Sequence, residues 1–277
     1  MNVLVLGGGI SAEREVSVRS TAAVVSALGA AGYAVVQADP ADSDFDLATL
    51  AGKCDVVLPV LHGAGGEDGV LQKQLETIGV PFVGSGSAAC ALTFDKAQYR
   101  EFVIARGVRV AAGQVVDQAQ FETSGLRTKP YVLKPIDGGS SVDTVIVHNV
   151  AQQPDETYFD DLFARYDRML VEELIEGQEI TVGVLGDQPL PVILIVPPSD
   201  GEFDYENKYN GRTQEIVGPS QIPSETQQKA QELALQIHQM TGCRHLSRTD
   251  MILGLDGQLY VLETNTLPGM TDHSLFP

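Results

Sequence analysis

Over the first third of the chain, apolar runs bounded by Gly, Asp or Pro alternate with helical patterns. Asn2 to Leu6, Tyr33 to Ala38, Val56 to Leu61 and Pro81 to Val83 read as strands. A helical pattern runs from the Ser11 region to about Leu28, and another from Val70 to Ile78. This alternation predicts a mostly parallel α/β sheet with helices on both faces. Ala88 to Ala105 reads as one helix. From about Val108 the pattern changes to short strands (Gly113 to Val116, Tyr131 to Lys134, Thr144 to His148, Met169 to Ile175) with a helix around Glu156 to Arg165, a small α+β lobe. Ile180 to Leu185 and Val192 to Val196 read as strands of a third lobe. Ser199 to Gly218 is polar and aperiodic, a long loop of the kind that commonly serves as a lid. A helix from Ser224 to about Thr241 follows. The expected units are residues 1–87, 88–178 and 179–277.

The most informative pattern is the last pair of strands, Arg248-Thr249-Asp250 and Glu263-Thr264-Asn265, around Leu255-Asp256-Gly257-Gln258. Asp-Gly between alternating apolar residues signals a two-residue hairpin loop. That loop pairs Asp250 with Glu263 and Arg248 with Asn265, all four side chains on one face. Met251, Leu253, Tyr260 and Leu262 are then expected on the core face. Two adjacent carboxylates repel unless a cation lies between them. With an amide beside them, they make an oxygen-donor set suited to Mg²⁺. The bland alternative is a solvated face with cross-strand charge pairs.

Composition narrows the classes. The 277 residues are 43% hydrophobic, enough for a sizeable core in two or three lobes. The net charge of −19 argues against nucleic acid and against an anionic membrane surface as partners. No apolar run is long enough to span a bilayer, and Met1-Asn2 leads straight into a strand, so no signal peptide is expected. Cys54, Cys90 and Cys243 are isolated and odd in number, which fits buried thiols in a reducing cytosol.

Three glycine-rich turns carry further chemistry. Gly7-Gly8-Gly9 follows the first strand but is not a dinucleotide fingerprint, and a tight turn into a helix accounts for it. His62-Gly63-Ala64-Gly65-Gly66-Glu67-Asp68-Gly69 follows the third strand and implies a close backbone approach. His62 alone is more often a structural hydrogen-bonder than a base. Lys134 ends a strand that runs into Asp137-Gly138-Gly139-Ser140-Ser141, a loop whose amides and hydroxyls suit phosphate. It is not a Walker loop, whose lysine follows the glycines.

Taken in order, Ser11-Ala12-Glu13-Arg14-Glu15-Val16-Ser17, the His62 to Gly69 block, Gly84-Ser85-Gly86, Asp95-Lys96, Gly139-Ser140-Ser141-Val142, Lys208-Tyr209 and Asn265-Thr266 through Pro268-Gly269-Met270-Thr271 to His273-Ser274 resemble the D-alanine–D-alanine ligase family. The resemblance spans nearly the whole chain. It implies the three-lobed ATP-grasp fold and a cytoplasmic enzyme, a homodimer in the family manner, that makes D-alanyl-D-alanine for peptidoglycan from ATP and two D-alanines. It implies ATP and two Mg²⁺ ions, with Mn²⁺ an alternative, as cofactors. Asp250, Glu263 and Asn265 match metal ligands. Lys96, Lys134 and Lys208 match phosphate contacts, and Glu172 and Glu179 match contacts to adenine and ribose. Glu13 matches the site for the first ammonium, with His62 beside it. Ser274 and Leu275 match the seat of the second substrate. Arg248 and the Gly269 amide match an oxyanion site, and Ser140 and Tyr209 match links from two loops to Glu13. Departures are Asp143 and Ser247 where glycine is usual, Glu173 where lysine is common, and a shifted aromatic pair at Glu202-Phe203. A D-lactate or D-serine ligase, another carboxylate–amine ligase of the same fold, and a non-catalytic ATP-binding regulator are the alternatives.

Overall fold

The computed structural model describes residues 1–139, 141–198, 213–271 and 274–277. The expectations for Ser140, Lys208, Tyr209 and Glu202-Phe203, and for most of the Ser199 to Gly218 stretch, lie outside the described residues.

The first unit is a parallel sheet of β1 (Asn2–Leu6), β2 (Ala34–Ala38) and β3 (Val56–Pro59) in the order β2-β1-β3. The expected fourth strand reduces to a single parallel bridge between Val57 and Phe82. Alternation along β1 divides two cores. Leu4 and Leu6 pack with Val57, Leu75 and Phe82, whereas Val3 and Val5 pack with Val60 and with Val24 and Leu28 of α1 (Arg14–Ala30). Both faces are thus covered, as a parallel sheet requires. The Gly7-Gly8-Gly9 turn is filled by the protein itself. The Gly8 amide donates to Ser17 Oγ (2.8 Å) and the Gly9 amide to Asp39 Oδ1 (2.8 Å), as expected for a structural turn.

After α2 (Leu47–Ala51) and α3 (Val70–Ile78), the helix expected over 88–105 is two helices, α4 (Ser87–Phe94) and α5 (Lys96–Ile104). Asp95 is extended, and its carboxylate caps α5 by accepting from the Gln98 amide at 2.9 Å. The Lys96 amide donates instead to Ile136 O of the distant glycine loop, 2.8 Å away. A tertiary bond therefore breaks a run with no internal Pro or Gly.

The second sheet is antiparallel: β4 (Gly113–Val116), β7 (Met169–Glu173), β5 (Tyr131–Pro135) and β6 (Val145–Val147) in that spatial order. Leu133, Val145 and Val171 pack against Phe121 of α6 (Gln118–Glu122) and Phe159 of α7 (Glu156–Arg165). The third sheet is also antiparallel. It comprises β8 (Gly177–Leu185), β9 (Gln188–Pro189), β10 (Ile193–Val196), β11 (Gln214–Val217), β12 (Leu246–Gly254) and β13 (Leu259–Asn265). β11 is a strand where only loop was expected; it completes an antiparallel pair with β10. Ile180, Val182 and Val184 pack on Ala230, Ala234 and Ile237 of α8 (Ser224–Met240), with Tyr99 and Val103 of α5 closing the same core.

The β12–β13 hairpin corrects the expected loop. Gly254 and Gln258 close it through the Gly254 amide and Gln258 carbonyl at 2.9 Å, so the loop is Leu255-Asp256-Gly257, three residues long. Gly257 is left-handed at φ 74°, as the last position of such a loop demands. Met251 consequently pairs with Val261 rather than Leu262, and Leu253 with Leu259. A one-residue shift reverses which side chains face inward. Val261 and Leu259 join the core, whereas Leu262, expected on the core face, lines the cleft described below. A bulge between Asp250 and Met251 then restores the register. Asp250 stands opposite Glu263, and Arg248 opposite Asn265, as expected.

Candidate active site

A cleft of about 650 Å³ lies between the second and third sheets. Lys96, Lys134, the glycine loop, Glu172 to Glu179, Asp250 and Glu263 all line it. Lys96 begins α5, where the Asp95 break aims its side chain into the cleft. Its Nζ donates to Gly138 O at 2.6 Å and lies 3.9 Å from Glu263. Burial lowers its pKa, and the Glu263 carboxylate opposes that shift. Lys134 points inward from β5 and pairs with Glu172 Oε2 at 2.5 Å, while Glu172 Oε1 receives Arg100 at 2.5 Å. Both Glu172 oxygens are thus engaged, and the residue fixes Lys134. Glu179 reaches the cleft from β8.

At the end of the cleft, Asp250 is the hub of a polar cluster. Oδ1 accepts from Thr181 Oγ1 (2.5 Å) and Arg248 Nε (2.9 Å), and Oδ2 accepts from Arg248 Nη2 (2.8 Å) and Asn265 Nδ2 (3.0 Å). The bidentate Arg248 contact places a guanidinium against Asp250. Among the described residues no three His, Cys, Asp or Glu side chains converge as a metal cage. The candidate donors are the two carboxylates and the Asn265 amide oxygen, a hard-oxygen set.

Glu13 is almost fully buried where the first and second units touch. A Cβ on Gly63 would lie 2.7 Å from its Oε2, and a Cβ on Gly139 would lie 3.0 Å from it. Two glycine backbones therefore lie against this carboxylate; a side chain at Gly63 would push it aside, and one at Gly139 would crowd it. Gly269 is crowded in the same way: a Cβ there would sit 2.7 Å from Ser274 Oγ, which accepts the Thr271 amide at 2.9 Å. Leu275 is buried next to it in sequence.

The sequence as a whole matches two family descriptions, "D-ala D-ala ligase N-terminus" over residues 36–85 and "D-ala D-ala ligase C-terminus" over residues 105–277. A D-alanine–D-alanine ligase of Xanthobacter autotrophicus is 42% identical over 100% of this chain and 91% of its own. One of Sinorhizobium fredii is 41% identical over 100% and 90%. The chain belongs to the D-alanine–D-alanine ligase family. Its fold superposes with a TM-score of 0.84 on a Bacillus anthracis D-alanine–D-alanine ligase solved in complex with ATP, at 28% identity, covering 100% of this chain and 90% of that one. The ATP-grasp fold expected from the motifs is thus the fold of this ligase.

Two residues of the ligase repay closer attention. His62 is buried, and both ring nitrogens are engaged: Nδ1 lies 3.1 Å from Leu267 O, and Nε2 lies 3.3 Å from Ser20 Oγ. A carbonyl only accepts, so Nδ1 carries the proton and Nε2 accepts from the serine. Burial holds its pKa at about 4, so the ring is neutral and stitches the first unit to the segment before Gly269. Glu67 was not singled out from the sequence. Its Oε2 accepts the Gly63 amide at 2.8 Å, so Glu13 and Glu67 lie on either side of Gly63. Burial, then the nearby charge of Glu13, raises its pKa to about 8. In the sequence it stands inside the His62 to Gly69 block without a role of its own.

Two departures from the family pattern acquire partners. Ser247 is fully buried and bonds His238 Nδ1 on α8 at 2.7 Å. Glu173 pairs with Lys129 at 2.8 Å. Among the described residues no helix is long and apolar enough to cross a membrane.

Proposed function

We propose that this ligase joins two D-alanines into D-alanyl-D-alanine at the expense of ATP, for peptidoglycan precursors, in the cytoplasm. The carboxylate of the first D-alanine attacks the γ-phosphorus of ATP, and ADP leaves. The amine of the second, having lost a proton, attacks the acyl phosphate carbonyl, and phosphate leaves. The observation that carries this reading is the continuity of the site. A cleft lined by Lys96, Lys134 and a glycine loop runs up to the Asp250–Glu263 pair, and the buried Glu13 lies against the same loop.

The chain's own groups take these roles. Lys96, Lys134 and Lys208 hold the phosphates, and Glu172 orients Lys134 as well as bordering the adenine site. Glu179 serves the ribose. Glu13 receives the first ammonium, with His62 fixing the surrounding backbone. Arg248 and the Gly269 amide stabilise the charge that develops on the attacked carbonyl oxygen. Ser274 and Leu275 seat the second substrate. Ser140 and Tyr209 close the site against water, which would hydrolyse the acyl phosphate. Asp250, Glu263 and Asn265 suit two Mg²⁺ ions, or Mn²⁺, because every donor they offer is a hard oxygen. When bound, such ions neutralise charge on the transferred phosphoryl group. Residues 1–87, 88–178 and 179–277 are the proposed working units, and a homodimer is the proposed assembly.

A phosphate-release assay with ATP and Mg²⁺, run over D- and L-amino acids singly and in pairs, tests the reading. D-alanine alone should release phosphate and yield the dipeptide mass. Release only with a different pair would overturn it. Glu263→Gln keeps shape and removes charge, so it should abolish release while the circular dichroism and melting curve stay those of a folded protein. With D-alanine and D-lactate supplied equally between pH 6 and 8, dipeptide should dominate, because neither Lys208 nor Tyr209 normally titrates there. Comparable ester near pH 7 would count against these assignments.

A further inference from the structure

The glycine loop is held at both ends, and the second hold is made by a residue with no part in the roles above. At its entry, Lys96 Nζ donates to Gly138 O. At its exit, Ser141, Val142 and Thr144 line the cleft while the Asp143 carboxylate reaches α7 instead. Asp143 Oδ2 accepts from Arg165 Nη1 at 2.5 Å and from Tyr166 Oη at 2.7 Å. The backbone there is tight. The Val142 amide donates to Gly139 O and the Thr144 amide to Ser141 O, each at 3.2 Å, with Ser141 and Asp143 both left-handed at φ 58° and 56°. Aspartate tolerates that region better than most residues, but a side chain there still carries strain that other contacts must offset.

We propose that Asp143, clasped by Arg165 and Tyr166, is a positioning residue that holds residues 141–144, which line the nucleotide cleft, in place before ATP arrives. This rests on the nucleotide reading of the cleft. The clasp fixes the exit of the loop to α7, so Ser141, Val142 and Thr144 line the cleft without first having to be ordered by the ligand. Asp143 itself touches no reacting atom. Its influence passes through the loop, and it falls on nucleotide binding rather than on the chemical step.

Asp143→Gly tests this, because glycine accepts the left-handed backbone and removes the clasp; since it also frees the backbone, Tyr166→Phe, which leaves the loop's own residues unchanged, is read beside it. Hydrogen exchange of residues 138–144 is measured without ligand, alongside KM for ATP and kcat. Exchange in the loop should quicken. KM for ATP should rise about tenfold if the unclasped loop takes its cleft-lining conformation about one time in ten, while kcat at saturating ATP falls by less than about twofold. Tyr166→Phe and Asp143→Asn, which each keep part of the clasp, should fall between the two. Asp167→Asn, which removes a neighbouring exposed charge, should match the wild type. Unchanged exchange and unchanged KM in Asp143→Gly would overturn the proposal, as would equal losses in KM and kcat with Asp167→Asn. Absence of ATP-dependent turnover in the wild type would instead strike the nucleotide reading, and the exchange experiment would still decide the clasp.

Discussion

His62 and Glu67 show how one short loop loads the molecule with opposed pH dependence. The folded-state value of His62, about 4, lies below its ordinary 6.5. Between those values the unfolded chain takes up a proton that the folded chain refuses. Stability is therefore present above pH 6.5 and lost as pH falls, in all on the order of 3 kcal/mol. His62→Gln should flatten the acid limb of a urea-unfolding series between pH 7 and 4; an unchanged slope would assign acid sensitivity to other groups. Glu67 works the other way. Its folded value of about 8 stands above its ordinary 4.5, so its contribution is complete below pH 4.5 and lost as pH rises through 8. Glu67→Gln keeps an acceptor for the Gly63 amide, and its gain over the wild type should be absent at pH 4.5 and clear at pH 8.5. Neither effect could be read from the residue types. Each is driven first by burial, and the backbone bonds from the Leu267 carbonyl and the Gly63 amide oppose it.

At the scale of the element, buried Ser247 on β12 and His238 on α8 form a polar tie inside an apolar core. Ser247→Ala leaves the imidazole unsatisfied and should cost about 1–3 kcal/mol in unfolding free energy. Adding His238→Leu should recover much of that, since removing both partners removes the penalty. A double variant no better than the single would mean the pair is held by packing. Most elements were legible in the sequence, because parallel and antiparallel strands here carry clear apolar runs. The exceptions are physical. The break at Asp95 was hidden because a capping aspartate and a mid-helix aspartate look alike until Ile136 takes the Lys96 amide. The hairpin partners Asp250 and Glu263 were found, but through a loop one residue too short. An Asp-Gly pair fits the end of a three-residue loop as well as the middle of a two-residue one. Of the residues expected at the site, Lys96, Lys134, Glu172, Glu179, Asp250 and Glu263 do line one cleft, whereas Thr181 and Arg100 gave no signal, since their partners are distant in the chain.

Across the whole molecule, the first unit is fastened to the third by a compact set of contacts. Arg244 donates from its amide to Ser85 Oγ (3.1 Å) and from Nε to Gly84 O (2.9 Å), and its guanidinium sits 4.7 Å from the centre of the Phe82 ring. The Gly84 amide donates in turn to His245 Nδ1 at 3.0 Å. Arg244→Ala removes a charge-assisted bond and a cation–π contact, together worth about 2 kcal/mol. The expected calorimetric result is a broader transition at lower temperature, as the first unit begins to melt by itself. A sharp transition at an unchanged midpoint would mean the lobes are joined chiefly elsewhere.

The β12–β13 hairpin has a consequence for how such a site changes over time. A two-residue tip with regular pairing and a three-residue tip with one bulge both set Asp250 opposite Glu263. They differ only in which neighbours turn inward: Tyr260 and Leu262 in the first, Leu259 and Val261 in the second. The chemistry is blind to that choice, and the fit of those side chains against α8 makes it. A lineage can thus lengthen or shorten the tip and absorb the change in the strand, with the two hairpin carboxylates never leaving their places.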